Sequence, residues 1–476
     1  MRTIDVAPLP LSELESHLDE VASHRLNGGI EAARVLLEGR TVWTVTPSAA
    51  AGSGPAETVA PLVGYALGLG IDVRWLALDA PADFVRVAAR LHAGIHGDRG
   101  DGGKLGEKQR DLYEHVLASN AENVTEDVRE GDVVILHDPP TAGLARSLKR
   151  AGLTVIWRCH LGGGPSGVAA ERAWAFLDRY LEDVDLVIVS REEYRPAFIE
   201  PERCVVVAPS VNPDSPKNRV LDLDEAWSVA RLAGIYDGEP PFEAVPFVHE
   251  DGRPDAIRSM PSLAGAGLPV PTGARTIAQV GRWDRLKGAE ELIEAFATNL
   301  TALPGDAHLL IVGPEPDPNR DEAAAAYLGE VLDRWDLLPE SVSRRVHIAA
   351  VPTYDREVNA TVVNAVQRVA DVVTQRSLVE AFGLPVAEAM WKKAPVVASA
   401  VGGIQDQIVN GIDGVLVDPA DASTWAQAVA DLLRLPQRAR EMGLAAHESV
   451  RREFLPDRHL RETAGAIDRA LELHAD

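Results

Sequence analysis

The chain has 476 residues, of which 46% are hydrophobic and 25% charged, a balance typical of a globular protein large enough for two or three domains. Its formal net charge of −25 gives a field that repels a phosphate backbone, so a nucleic-acid-binding role is disfavoured. Its two cysteines, Cys159 and Cys204, are too few for a disulfide framework or a four-thiolate zinc site.

The hydropathy of the sequence bears on its location. No basic segment followed by an apolar run opens the chain, as it would in a signal peptide, and no apolar stretch of about 18 residues could cross a bilayer. We therefore expect a cytoplasmic protein without membrane association. The sequence carries no signal for oligomeric state and is compatible with a homodimer.

The first half of the chain alternates β-rich runs with helical patterns. An acidic helical leader at about 11–38 comes first. Near-continuous apolar runs then predict strands at 41–45, 72–78, 132–136, 154–159, 185–190 and 204–208. Such runs with helices between them are typical of a parallel sheet covered on both faces.

The second half repeats this pattern after an irregular stretch. The segment 209–218 predicts a hinge, and the many Pro and Gly residues of 236–274 predict a long surface excursion. Apolar runs then predict strands at 276–281, 308–313, 345–351, 371–375, 395–399 and 414–417. A final helix at about 457–475 is expected to return to the first domain.

Together these elements predict an α/β protein with two Rossmann-like, doubly wound domains that face a cleft. The expected boundaries are 1–210 for the first domain, 211–274 for a linker and excursion, and 275–456 for the second domain. The helix at 457–476 would pack back on the first. In open sheets of this kind ligands bind outside the carboxyl ends of the strands, so residues that follow strands are the candidates for a site.

A segment with two carboxylates follows the predicted strand at 371–375. Glu380 lies in a loop, and Glu388 is predicted in the first turn of a helix that begins at Pro385. Carboxylates bind sugar hydroxyls, and the free N–H groups of a helix N-terminus suit a phosphate. The spacing alone is equally compatible with a solvated Glu380 and a Glu388 that only complements the helix dipole.

Two cations follow the predicted strand at 276–281. Arg282 and Lys287 are expected to project from its carboxyl end, where fixed positive charge could neutralise a diphosphate and the charge that develops as it departs. The alternative is a pair of surface cations paired with Asp284 or Glu290. Clustered cations in an acidic chain favour the functional interpretation.

These two motifs together resemble a known family. E-x7-E at 380–388 and G-R-x4-K-G at 281–288 resemble the donor site of retaining GT-B glycosyltransferases of the glycogen-synthase-like group 4. The wider match is to the trehalose-synthase branch, which LHDPP at 136–140, IWRCHL at 156–161, PSVNPDSPKN at 209–218 and the whole of 375–408 resemble. The similarity extends over about 40–455, apart from 236–274.

The resemblance implies a GT-B fold and a role for each matching residue of the second half. Arg282 and Lys287 would bind the diphosphate of the donor. Glu380 would contact the hydroxyls of the transferred sugar, and Glu388 would hydrogen-bond the ribose. Backbone groups would line the sugar and phosphate pocket at Phe382, Gly383 and Leu384.

In the first half, the resemblance assigns His160 to the donor sugar near the reacting carbon and Asp138 to the acceptor. The loop Gly52, Ser53 and Gly54 would approach the phosphates or the acceptor, and Gly54 would contribute to donor binding. By residue type alone, a single histidine after a strand is more often structural than catalytic. Asp138 would equally suit a turn before Pro139.

The first half also departs from the branch. Ser53 interrupts the run of glycines expected at 52–54, three glycines at 162–164 replace an acidic and hydroxyl-bearing stretch, and Asn212 stands where the branch favours an acid. These changes fall in the acceptor half, whereas the donor half is intact. The transfer chemistry is therefore better supported than the identity of the acceptor.

The resemblance implies a retaining hexosyltransferase that moves a hexose from a nucleoside diphosphate sugar to a sugar acceptor, and glucose is the hexose expected. No metal and no cofactor would be strictly required. The D-x-D pairs at 183–185 and 222–224 do not follow strands, and His92 and His96 lack the Glu of a zinc H-E-x-x-H motif.

Three alternatives stay open. The same fold could take an amino-sugar or cyclitol acceptor in secondary-metabolite assembly. A disaccharide phosphorylase would exchange the nucleotide for phosphate, although it would have no ribose for Glu388 to hold. A sugar-nucleotide-binding protein without activity would have no use for both Glu380 and Lys287. The sequence does not indicate the nucleobase.

Overall fold

A computed structural model describes residues 1–48, 54–125, 127–164, 167–249, 252–260, 263–319 and 321–475. The chain divides into two compact units. The first comprises Met1–Ser210 with Phe454–Asp476, and the second comprises Val211–Glu453. Each unit has its own seven-stranded sheet.

The first unit is a doubly wound sheet in the order β1-β3-β2-β4-β5-β6-β7, parallel except for β1 at one edge. Its strands are β1 (Arg2–Ile4), β2 (Val42–Thr46), β3 (Val73–Ala77), β4 (Val133–His137), β5 (Thr154–Arg158), β6 (Leu186–Val189) and β7 (Cys204–Val206). Its helices up to that point are α1 (Leu11–Glu15), α2 (Glu20–Leu36), α3 (Gly54–Gly68), α4 (Ala82–Ile95), α5 (Glu107–Thr125), α6 (Ala145–Arg150) and α7 (Val168–Leu181).

The second unit is a sheet in the order β10-β13-β12-β11-β14-β15-β16, parallel except for β10. It begins with α8 (Leu223–Leu232), β8 (Val245–Val248), β9 (Pro254–Ile257), β10 (Ala264–Ala266), β11 (Arg275–Val280), α9 (Ala289–Thr298), β12 (Ala307–Pro314), α10 (Glu322–Asp336), α11 (Glu340–Ser343) and β13 (Val346–Val351). It continues with α12 (Arg356–Val369), β14 (Val372–Gln375), α13 (Leu384–Trp391), β15 (Val396–Ser399), α14 (Ile404–Gln407), β16 (Val415–Val417), α15 (Ala422–Arg434) and α16 (Pro436–Glu453).

The last helix, α17 (Pro456–Ala475), belongs to the first unit. Its buried face joins a core cluster formed with β2, β4, β5 and β6, because its apolar positions recur at helical spacing along one side. The α17 members of this cluster are Ala466, Ile467 and Ala470. The first unit is therefore built from two segments that are far apart in the sequence.

All twelve strands predicted from the apolar runs are present, with ends that differ by no more than two residues. Most of them are buried along their length, as parallel strands covered by helices must be, whereas β7 and β16, at the sheet edges, are partly exposed. The strands that the pattern did not predict, β1, β8, β9 and β10, are antiparallel and short. Short edge strands need no continuous apolar run, so hydropathy alone did not mark them.

The segment 211–274 is not a separate linker, and that expectation is corrected. It lies in the second unit, where α8 begins with a capping box between Asp222 and Glu225 and β10 pairs with β13 at Ala264 and Ala350. β8 and β9 form a hairpin. The Pro and Gly residues of 211–274 therefore shape turns between these elements. They do not form a long irregular excursion.

Among the described residues, no helix combines the length and the apolar character that crossing a membrane would require.

Candidate functional site

In the second unit, two predicted site residues form an ion pair. Lys287 ends the short 3₁₀ turn after β11, and Glu380 lies in the loop after β14. The Nζ atom of Lys287 lies 2.5 Å from Oε2 of Glu380. The two side chains are only 13% and 10% exposed, so the pair is largely shielded from the screening of water. β11 and β14 are neighbours in the sheet, which brings both residues to one edge.

The two loops are joined by Gln279, which the sequence analysis did not single out. Its side-chain amide donates to the carbonyl of Lys287 and accepts from the N–H of Arg376, at 3.0 and 2.8 Å. The N–H of Leu378 also donates to the carbonyl of Leu286 at 2.8 Å. Because Gln279 is buried within β11, it fixes the distance between the loops that carry the ion pair.

The loop that carries Glu380 ends at Gly383, the N-cap of α13. Gly383 has a φ of 93°, and no side chain caps the helix, so its first N–H groups are available to an anion. A Cβ at this position would lie 2.8 Å from Cγ1 of Ile404 and 3.2 Å from Cγ of Glu380. Phe382 is buried, and its carbonyl accepts a hydrogen bond from Gln407.

Glu388 lies one position deeper in α13 than predicted. The helix begins at Leu384, which puts Glu388 at its fifth residue, just past the first turn. Its side chain is 7% exposed, and Oε1 lies 3.6 Å from Nζ of Lys217. Lys217 comes from 209–218, so the predicted hinge supplies a partner to this carboxylate.

A second lysine, Lys392, connects α13 to neighbouring segments. Lys392 is buried, and its Nζ donates to Asn218, to Gln367 and to the backbone carbonyl of Glu388 at 2.8, 2.9 and 3.1 Å. Burial lowers the pKa of Lys392 well below its usual range, although Glu388 acts in the opposite direction. These contacts tie the helix that carries Glu388 to 211–218.

Arg282 follows β11 but is not part of the ion pair. Its side chain is 54% exposed, and its Nη2 lies 3.9 Å from Oδ2 of Asp284. An exposed pair at that distance contributes little to stability. The guanidinium thus keeps most of its surface in solvent, beside the more enclosed Lys287.

In the first unit, His160 lies just after β5 and contacts His137 at the end of β4. Nδ1 of His137 lies 2.9 Å from Nε2 of His160, and the rings are stacked with centroids 5.2 Å apart. Nε2 of His137 lies 2.8 Å from Oγ1 of Thr44. Both β4 and β2 thus help to set the orientation of the predicted catalytic ring.

Asp138 holds the loop of His160. Its Oδ1 accepts a hydrogen bond from the backbone N–H of His160 at 2.7 Å, and its own N–H donates to the carbonyl of Arg158. The residue has a φ of 63°, which is uncommon for a residue other than glycine. Burial raises the pKa of Asp138 to about 7, against the opposing effects of the His160 N–H and Arg158.

The side chains around His160 keep it uncharged. Burial, with Arg158 next, lowers the pKa of His137 to about 3 and that of His160 well below its usual value. Burial also lowers the pKa of His459. Arg158 itself is buried, and its Nη1 has no hydrogen-bond partner among the described residues. His137, Arg158, His160 and His459 line a cavity of about 130 Å³ whose remaining walls are mostly apolar.

Part of the predicted glycine loop cannot be placed. Gly52 and Ser53 lie outside the described residues, and Gly54 begins α3. The structure thus brings Lys287 to Glu380 and Asp138 to His160. Among residues that sequence reasoning missed, Lys217, Gln279 and Lys392 act through partners distant in the chain, and no local motif marks them.

Comparisons with known proteins bear on both units. Residues 45–196 match a family model described as trehalose synthase, N-terminal domain, and residues 266–449 match one described as glycosyl transferases group 1. The trehalose synthase of Pyrococcus horikoshii is 31% identical over 425 residues, which is 89% of this chain and 88% of that protein. That of Rubrobacter xylanophilus is 31% identical over 457 residues, or 94% and 92% of the two chains.

A solved structure of an α,α-trehalose-phosphate synthase (UDP-forming) from Burkholderia vietnamiensis superposes with a TM-score of 0.66 at 15% identity, covering 90% of this chain and 97% of that one. The fold is that of the GT-B glycosyltransferases. The chain belongs to the trehalose synthase family. It is a glycosyltransferase that uses a nucleotide sugar and a sugar acceptor, and the resemblance to the trehalose-synthase branch of the GT-B glycosyltransferases is confirmed.

Proposed function

We propose that the enzyme transfers a glucosyl group from a nucleoside diphosphate glucose to glucose or a closely related sugar, with retention of anomeric configuration, as a trehalose synthase would. The observation that carries this proposal is the shielded pair of Lys287 and Glu380 beside the N-terminus of α13, which no side chain caps. The relatives named trehalose synthase support the acceptor class, and the structural neighbour named UDP-forming supports the donor class.

The second unit has a suitable charge arrangement for a diphosphate. Lys287 is enclosed, Arg282 is exposed, and the N–H groups that follow Gly383 complete a set of donors. Such preorganised donors stabilise charge as it develops on a departing phosphate. Glu380 balances Lys287 when the site holds no anion, and its carboxylate is also the group expected to bind the hydroxyls of the sugar.

Neutral histidine chemistry suits the first unit. Because burial and Arg158 lower the pKa of His160, the imidazole would accept or donate a hydrogen bond to the donor sugar without carrying charge. We propose that no protein nucleophile attacks the sugar and that the leaving phosphate helps to deprotonate the acceptor hydroxyl on the same face. Asp138 would orient His160 by accepting a hydrogen bond from the backbone N–H of His160. A contact between Asp138 and the acceptor stays a prediction.

Glu388 favours a nucleotide donor over phosphate. Its buried carboxylate, balanced by Lys217, suits a pair of ribose hydroxyls, which a phosphorylase substrate lacks. We also propose that transfer needs no metal, since both D-x-D pairs serve the fold. Asp183 pairs with Arg146, Asp185 pairs with Lys149, and Asp222 caps α8.

A donor and acceptor panel would test the function. The enzyme is incubated with ADP-, GDP-, UDP- and dTDP-glucose against glucose, glucose 6-phosphate, amino sugars and cyclitols, with chelator added, and products are identified by mass spectrometry and NMR of the anomeric proton. We expect an α-linked disaccharide with glucose. A product formed only with an amino sugar or a cyclitol would contradict glucose as the acceptor and support the alternative acceptor class. Consumption of the donor only with inorganic phosphate would contradict the proposed transferase and indicate a phosphorylase.

Removal of the positive charge of Lys287 tests the proposed stabilisation of the departing phosphate. Lys287→Ala should lower turnover by about 10²–10³-fold, the usual loss when one donor to a developing anion is removed. Arg285→Ala is the matched control, because Arg285 lies in the same 3₁₀ turn but pairs with Glu330 and Glu290 away from Glu380. Wild-type turnover in Lys287→Ala, or an equal loss in Arg285→Ala, would contradict the assignment.

We place the enzyme in the cytoplasm, which its two free cysteines, one of them buried, favour. A homodimer stays a prediction, and the molecular mass in solution would test it.

A further inference from the structure

One group of side chains in the second unit lies apart from the residues assigned to the transfer. His249 directly follows β8, the first strand of the β8–β9 hairpin, Asp255 lies in β9, and Asp355 is the N-cap of α12. One nitrogen or oxygen atom from each lies within 4.8 Å of those from the other two. No local motif predicts this group, because His249 and Asp355 are about a hundred positions apart in the chain.

The imidazole of His249 is enclosed, with its side chain only 3% exposed. Its Nδ1 lies 3.2 Å from Oε1 of Glu357, which is the contact expected when Nδ1 carries a proton and donates it. Nε2 lies 3.3 Å from Oδ2 of Asp255, within hydrogen-bond distance, and 4.0 Å from Oδ2 of Asp355. One imidazole nitrogen and two carboxylate oxygens thus converge on one point, where a proton on Nε2, or a bound cation in its place, would offset the negative charge of the two aspartates.

Each aspartate has one oxygen already occupied. Oδ1 of Asp355 accepts from the backbone N–H groups of Glu357 and Val358, both at 3.0 Å, and Oδ1 of Asp255 accepts from the N–H of Ala256 at 2.7 Å. The backbone thus holds both carboxylates so that the remaining oxygen, Oδ2, is the one that faces His249. The orientation is fixed by the fold and does not depend on the histidine.

We propose that His249, Asp255 and Asp355 bind a divalent transition-metal cation of the Zn²⁺ class. Imidazole nitrogen and carboxylate oxygen both bind zinc, at about 2.0–2.2 Å, and three protein ligands with water in the fourth position form a recognised zinc geometry. Tetrahedral ligands at those distances are about 3.3–3.6 Å apart. The His249–Asp255 contact already has this spacing. The Asp355 oxygen, 4.0 Å from Nε2 and within 4.8 Å of the Asp255 oxygen, would have to move inward when the cation binds.

Glu357 completes the arrangement in the second coordination sphere. A histidine that binds a metal through one nitrogen usually donates the N–H of the other to a carboxylate, which fixes the tautomer. The cation would connect the β8–β9 hairpin to the first turn of α12, two elements that otherwise meet through side chains. Its effect would be on the stability of this unit, and it takes no part in the transfer chemistry.

The test uses the full chain, freed of metal with a chelator and then titrated with Zn²⁺ in a calorimeter, with thermal unfolding followed in parallel. We expect one equivalent to bind saturably and to raise the melting temperature, because a ligand of the folded state alone stabilises it. His249→Ala should abolish that equivalent. Glu357→Gln should weaken it by about 10–100-fold.

Asp355→Asn separates ligation from helix capping, since asparagine caps a helix as well as aspartate does. Its matched control is Asp421→Asn, at the N-cap of α15, where Oδ1 accepts from the N–H of Thr424. We expect the first to lose Zn²⁺ binding and the second to keep it. Absence of a saturable equivalent in the wild-type chain would overturn the proposal, as would Asp355→Asn and Glu357→Gln chains that fold and bind Zn²⁺ as tightly as wild type.

Discussion

At the scale of single residues, the first unit holds its ionisable groups in uncommon protonation states. The low pKa of His137 keeps it neutral far below the pH at which a solvated histidine titrates, and the raised pKa of Asp138 keeps its proton to near neutrality. In both cases burial is the largest cause. The neighbouring Arg158 adds a positive field that favours neutral imidazoles. A hydrogen-bonding site that must not change charge during a reaction is consistent with this arrangement.

The stability of the chain should therefore depend on pH. An unfolded histidine binds a proton near pH 6.5, whereas His137 stays neutral in the folded chain down to about pH 3. Below pH 6.5 the unfolded state binds more protons, so the free energy of unfolding falls as the pH falls. His160 and His459 act in the same direction. Asp138 opposes them between about pH 4 and 7, because only its folded state holds the proton.

The variant His137→Asn isolates one of these contributions. Each such histidine contributes about 1.4 kcal/mol per pH unit to the slope, so the variant should lose stability less steeply between pH 6 and 4.5. Urea unfolding at several pH values measures both slopes. Comparison of slopes removes any constant cost of the substitution, and equal slopes would show that His137 does not titrate as the structure indicates.

At the residue scale, the sequence predicts positions well where a local motif marks them, and the roles of those residues in the site stay predictions. Lys287 and Glu380 were identified from two short patterns, each placed after a strand, and the order of the strands then brought them together. Gln279 and Lys392 could not be found in this way, because an amide within a strand and a lysine within a helix carry no sign of their distant partners. The protonation of Asp138 was also out of reach, since it depends on burial.

At the scale of elements, α13 depends on the conformation of one residue. Gly383 adopts a φ of 93°, which brings the chain from the Glu380 loop into the helix. A methyl group added at this position would lie against Ile404 and Glu380. Gly383→Ala should therefore lower both stability and turnover, because relief of the clash moves the carboxylate away from Lys287.

Gly411→Ala is the matched control for backbone strain. Gly411 has a φ of 83°, and a Cβ there meets no atom within 4 Å. Backbone strain should lower the free energy of unfolding by about 1–2 kcal/mol in each variant, and the clash at Gly383 adds to that loss. Only Gly383→Ala should also lower the rate of glucosyl transfer. Turnover and urea unfolding of the two variants measure the difference. Normal turnover in Gly383→Ala would separate this glycine from the site.

Element prediction failed mainly at the edges of the sheets. The buried parallel strands have continuous apolar runs and were all found, whereas β10 consists of Ala264, Gly265 and Ala266 and shows no such run. Gly265 is required there, since a Cβ would lie 1.9 Å from the carbonyl oxygen of Ile348. Because β10 consists of small residues that allow it to lie close to β13, it has no apolar run that a hydropathy pattern could show.

At the scale of the whole molecule, α17 completes the first unit. Arg458 donates to the carbonyls of Ala208 and Pro209 at 2.8 and 3.0 Å, and Nδ1 of His459 lies 3.0 Å from Oγ of Ser210. The apolar residues of α17 pack against one side of β2, β4, β5 and β6. The first 210 residues therefore lack part of their own core.

Removal of residues 454–476 should affect the two units differently. We expect the shortened chain to lose the cooperative unfolding transition of the first unit, because its sheet would expose apolar surface. The fragment 211–453 is continuous and has its own core, so it should fold alone. Calorimetry of the shortened chain and of this fragment tests both expectations, and a first unit that unfolds as in the full chain would contradict the role of α17.

The position of α17 also has a consequence for biosynthesis. Domains of a growing polypeptide generally fold from the amino terminus onward, at about 5–20 residues added per second. Here the ribosome adds all of Val211–Glu453 before Phe454–Asp476 emerges, a delay of roughly 10 to 50 s. The unit that is translated second is thus the first that can finish folding. During that interval, the apolar surface that α17 covers is exposed on the first unit. Chaperones and proteases in the cell would therefore encounter this incomplete unit.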